Sequence, residues 1–155
     1  MNIEKLSNSI ENALASLGLN PTESRCEEEG QWLIFNGETE IYIDIWEQKE
    51  ESPWIYFQAD EPVFIFQIIS PVCFVKEMEN NSFYEEILHN NLNMINASYI
   101  FNKEEGVLAV KIRNNVKAIT PEQVIDAIEN VGYYSEITFD ILKERYPVER
   151  IAKEN

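Results

Sequence analysis

Residues 40–47 read Glu40-Ile41-Tyr42-Ile43-Asp44-Ile45-Trp46-Glu47. Successive side chains of an extended chain point to opposite faces, so Ile41, Ile43 and Ile45 share one side and Tyr42, Asp44 and Trp46 the other. The isoleucine side is a core face; the other is aromatic and acidic. Upstream, Trp32-Leu33-Ile34-Phe35 reads as a strand running into Asn36-Gly37, a hairpin turn signal. Downstream, a charged loop ends at Ser52-Pro53, and Trp54-Ile55-Tyr56-Phe57-Gln58-Ala59 alternates again. Asp60-Glu61-Pro62 then turns the chain into the run 63–69, which is apolar on both faces, as a central strand is. The stretch 63–75 is the most apolar of the chain, broken by Gln67 and Pro71.

Helical spacing brackets these strands. Ile3, Leu6, Ile10, Ala13, Leu14 and Leu17 recur every three or four residues up to Gly18, with Pro21 beyond. A capping box at Ser82 and Glu85 opens a second predicted helix with Tyr84, Ile87, Leu88, Leu92 and Ile95 along one side. Tyr99-Ile100-Phe101 and the run 107–112 then form a hairpin around an Asn-Lys-Glu-Glu-Gly turn. Thr120-Pro121-Glu122-Gln123 combines an N-cap, a proline at the first helical position and a capping-box Gln. That third helix is expected to kink at Gly132 and continue towards Pro147. The order α-β-β-β(-β)-α-β-β-α argues an α+β fold, a mainly antiparallel sheet with helices packed on one face, in one domain spanning residues 1–155.

Composition narrows the partners. The 155 residues hold 28 Asp plus Glu against 12 Lys plus Arg, a formal charge of −16. Residues 1–79 carry 4 basic and 16 acidic groups, residues 80–155 carry 8 and 12, so the field is strongest in the first half. A chain of this sign is repelled by phosphate backbones and anionic lipid, so neither nucleic acid nor membrane is an expected partner. With 45% hydrophobic and 12% aromatic residues it has the material for a real core. The first residues have neither the basic nor the apolar region of a signal peptide, and Cys26 and Cys73 lack a CxxC spacing. Both features fit a reduced, cytoplasmic protein.

Chemistry is scarce. His89 stands without the partners of a metal site or triad, and the five glycines form neither a phosphate loop nor a nucleophile elbow. Glu27-Glu28-Glu29 lacks the alternating Asp or Asn and the glycine of a calcium loop. No cofactor or metal is expected. Asp44 and Glu47 point to opposite faces of their strand, whereas Glu40 and Asp44 share one, which leaves a carbohydrate-type enzyme or binder as the alternative reading.

The feature that carries most weight is the aromatic surface. If runs 40–47 and 54–59 pair as consecutive strands, Tyr42, Asp44, Trp46, Trp54 and Tyr56 gather on the face opposite the isoleucines. Such a face is either a protein interface or the seal of a small core under a second layer.

The succession of these elements, with Leu88-His89-Asn90-Asn91-Leu92-Asn93, the hairpin from Tyr99-Ile100-Phe101 to Val107-Leu108-Ala109-Val110, and Thr120-Pro121-Glu122, resembles the YbjN-like family within the type III secretion chaperone-like fold. The resemblance spans nearly the whole chain. It implies a small acidic protein without enzymatic activity: a regulator of sensory transduction, or a chaperone-like homodimer holding a client segment.

Overall fold

The computed structural model describes residues 2–49, 53, 62–76 and 81–151. Ile3–Ser16 forms α1, whose cap is the Asn2 side chain accepting from the Lys5 N–H. Its stripe of Leu6, Ile10, Ala13 and Leu14 is buried. A single turn, α2 (Pro21–Ser24), follows, then β1 (Gln31–Asn36), β2 (Thr39–Gln48), β3 (Val63–Val75), α3 (Ser82–Asn90), β4 (Ser98–Asn102), β5 (Val107–Val116), α4 (Pro121–Lys143) and β6 (Val148–Arg150).

The strands form one antiparallel sheet in the order β1-β2-β3-β5-β4, with β6 beside the far end of β3. Ile41, Ile43 and Ile45 of β2, Phe66 and Ile68 of β3 and Val110 and Ile112 of β5 share one core with Leu6 and Ile10 of α1 and with Val124 and Ile128 of α4. Helices α1 and α4 thus cover the same side of the sheet, and α4 lies against β2, β3 and β5. Behind the sheet's centre, Ser70 Oγ donates to the Glu40 carbonyl at 2.6 Å and is hydrogen-bonded with Ser135 Oγ of α4 at 2.9 Å.

Three features of the chain differ from their sequence-based expectation. First, Pro71 does not end β3. It sits at a register shift between Pro71 and Cys73, where a residue without an N–H costs the ladder nothing, and the strand runs on to Val75. Second, the Ser82–Glu85 capping box does not form. Asn81 is the N-cap, without a side-chain cap, and α3 stops at Asn90. Its buried residues are Phe83 and Ile87, while Leu88, Leu92 and Ile95 are 69%, 79% and 68% exposed. Third, Gly132 does not interrupt α4, which is continuous from Pro121 to Lys143. A Cβ there would stand 3.3 Å from Asn36 Nδ2, a tight approach to the end of a side chain. The Thr120–Gln123 capping box is present in full.

The supposed pairing of 40–47 with 54–59 is not the arrangement of β2. Residues 42–48 pair with β3, and 39–44 pair with β1. The run 54–59 itself lies outside the described residues.

Candidate functional site

The side of the sheet away from α1 and α4 is built by alternate residues. Strand β2 contributes Glu40, Tyr42, Asp44 and Trp46, which are half-buried. The register sets Gln31, Asp44, Gln67 and Arg113 in one row across β1, β2, β3 and β5. Within it, Gln31 Nε2 donates to Asp44 Oδ1 at 2.8 Å and Gln67 Nε2 donates to Asp44 Oδ2 at 3.0 Å. The carboxylate is therefore an acceptor that ties three strands together. Arg113 closes the row, its guanidinium 5.0 Å from the centroid of the Trp46 ring.

A parallel row holds Leu33, Tyr42, Ile69, Lys111 and Ser98. Burial pushes the Lys111 ammonium below its ordinary pKa, and the charge of Arg113 adds to that shift. The face thus combines aromatic and aliphatic surface with acids on β2 and cations on β5. Trp54 and Tyr56, the other expected members, lie outside the described residues.

Reading β2 alone missed Gln31, Gln67, Lys111 and Arg113. Their signal was present in the sequence. Gln67 is the one polar side chain in the apolar run 63–69, and Lys111 and Arg113 alternate with Val110 and Ile112.

Glu40 and Asp44 share this face, but four residues of strand separate them by about 13 Å. Paired carboxylates of glycoside hydrolysis stand roughly 5–9.5 Å apart. Asp44 is also already occupied by two amides. Cavities of about 640 and 380 Å³ among the described residues are lined by neither Glu40 nor Asp44. In the smaller, Arg25 holds Glu11 at 2.6 Å and lowers its pKa, and Trp32 Nε1 donates to the same oxygen at 3.3 Å. Among the described residues no group of three or more His, Cys, Asp or Glu is placed to hold a metal ion. None of their helices is long and apolar enough to cross a membrane.

A second surface lies at the other edge of the sheet. Among the described residues β4 pairs only with β5, and the exposed Leu88, Leu92 and Ile95 precede it. Residues 87–102 contain no Asp, Glu, Lys or Arg, in a chain that is 26% charged.

The architecture is that of type III secretion chaperones. A chain of the crystal structure of the ExsC-ExsE complex superposes with a TM-score of 0.63 at 12% identity, covering 92% of this chain and 97% of that one. A chain of the heterodimeric ExoU-SpcU complex from the type III secretion system of Pseudomonas aeruginosa gives 0.54 at 11% identity, with 89% and 98% covered. No protein-family profile matches the sequence, and no curated protein matches it. The fold is therefore α+β and type III secretion chaperone-like, with an antiparallel sheet and helices on one face.

Proposed function

We propose that this chain is a non-enzymatic, chaperone-like module, one domain over residues 1–155, that binds a protein partner or client segment on the sheet face away from α1 and α4. The observation that carries the reading is that face: Tyr42 and Trp46 stand beside Asp44 and Arg113 on a sheet side away from the helices. Aromatic rings with an arginine among them are the composition of a protein interface. The similar solved structures are complexes between proteins, which supports the same reading. We include Trp54 and Tyr56 in the proposed contact on the alternation of the run 54–59 in the sequence. Placement in the YbjN-like family, a role in sensory transduction and residence in the cytoplasm are part of the proposal, carried by the sequence resemblance and the acidic composition.

The proposal includes a homodimer. A chain of charge −16 repels its own copy, and the uncharged stretch 87–102 is where two copies meet at least electrostatic cost. It also carries the exposed Leu88, Leu92 and Ile95.

The test is capture of proteins from the source lysate by tagged wild type beside the Trp46→Asp/Trp54→Asp double variant. A specific protein retained by wild type and lost by a variant of unchanged circular dichroism supports the site. Equal retention by both overturns it.

A further inference from the structure

Lys111 and Arg113 stand two residues apart on β5 with the core residue Ile112 between them, so both side chains leave the sheet on the side away from α1 and α4. Their Cα atoms are about 7 Å apart on an extended strand. Arg25, Lys49, Lys76, Lys143, Arg145 and Arg150 each reach a carboxylate. Among the described residues, Lys111 and Arg113 form no ion pair. Asp44, in the row of Arg113, is held instead by the amides of Gln31 and Gln67.

Lys111 is also the one cation among the described residues that is not exposed. Burial lowers its pKa, and the like charge of Arg113 acts in the same direction. Desolvation and repulsion thus both oppose this pair in the free chain. An anion seated over the two offsets both costs and accepts a charge-assisted hydrogen bond from each. The field of a chain of charge −16 turns away polyanions. A single carboxylate brought into contact is screened from charges beyond roughly 8 Å at physiological salt. Around the cations, the Trp46 ring beside Arg113 and the row of Tyr42 and Ile69 beside Lys111 add aromatic and aliphatic surface. A free anion leaves that surface uncovered, whereas a protein covers it.

We infer that Lys111 and Arg113 receive the side-chain carboxylate of an Asp or Glu carried by the protein partner. The inference rests on the protein-binding reading above and adds the charge of the residue that is recognised. Such a pair acts mainly on the choice of partner, because a partner without the acid leaves both cations unpaired.

The test is zero-length coupling with a water-soluble carbodiimide, which joins an amine to a carboxylate only where the two touch. It is applied to the complex that the tagged full chain captures from source lysate, with the products mapped by mass spectrometry. An amide bond between Lys111 Nζ and an Asp or Glu of the captured protein is expected. Lys111→Arg, which keeps the charge but offers no amine, is expected to retain the protein without that bond. Lys111→Met/Arg113→Met is expected to lose the protein with unchanged circular dichroism; were this variant unfolded, the coupling at Lys111 decides alone. A captured complex without coupling at Lys111, coupling of Lys111 only within its own chain, or equal retention by the folded double variant overturns the inference. Loss of capture in Trp46→Asp/Trp54→Asp alongside any of these leaves the protein-binding reading standing. If wild type captures nothing, that reading fails and the inference fails with it.

Discussion

The guanidinium of Arg113 lies 5.0 Å over the ring of Trp46, although the two residues belong to strands that do not neighbour each other. Strand β3 runs between them, and Arg113 spans it beside Gln67. The contact braces the sheet face away from α1 and α4 across its centre. Arg113→Ala is predicted to cost about 0.5–1 kcal/mol, the range of an exposed cation–π contact. Urea unfolding, followed by circular dichroism, measures it.

Gly30 takes a φ of 80°, and a Cβ there would fall 2.4 Å from the carbonyl oxygen of Ile45. The Gly30 carbonyl also accepts from the Ile45 N–H at 2.8 Å. Gly30→Ala meets both a left-handed backbone and a neighbour that is main chain, which cannot swing away. A loss of about 2 kcal/mol or more is predicted, since the conformation alone costs about 1–3 kcal/mol. The urea midpoint reports it.

The α-helical and strand periods were legible wherever the apolar residues serve the chain's own core. The isoleucines of β2 and the stripe of α1 are such cases. Leu88, Leu92 and Ile95 have the same helical spacing and are exposed, because periodicity identifies a face without saying what covers it. Strand β6 was missed for a related reason: its three residues form a strand only because Cys73–Val75 offers them an edge. The site was half legible. Tyr42, Asp44 and Trp46 follow from alternation within β2, whereas the row through Gln31, Gln67 and Arg113 depends on the register between strands.

Ser70 and Ser135 form a buried pair between β3 and α4. Ser70→Ala leaves the Glu40 carbonyl and the Ser135 hydroxyl short of a partner, with a predicted cost of about 1–3 kcal/mol. The Ser70→Ala/Ser135→Ala double variant is predicted to lose less than the sum of the single losses. A double-mutant cycle in urea checks both.

Burial pushes the Cys73 thiol up to about 12 from an ordinary value of 9.0. Above pH 9 the unfolded chain releases this proton while the folded chain keeps it. The unfolded state then binds fewer protons, so stability falls as pH rises from 9 towards about 12. Cys73→Ala is predicted to flatten that decline in thermal melts taken across the window. At neutral pH, a thiol reagent is predicted to modify the half-exposed Cys26 well before the buried Cys73.

If the uncharged surface joins two copies, Leu88→Asp/Leu92→Asp places four carboxylates across the interface. Sedimentation velocity is predicted to give a dimer for wild type and a monomer for the variant, with unchanged circular dichroism. A wild-type monomer would remove this surface as a self-contact.

The central claim is that a protein partner lies on the side of the sheet away from α1 and α4. The direct measurement places the photo-crosslinking residue p-benzoylphenylalanine at position 46, and separately at Glu129 on the exposed side of α4, followed by mass spectrometry of the products formed in source lysate. The account predicts a crosslink to another protein from position 46 and none to that protein from position 129. Crosslinks to it from position 129 alone would contradict the account.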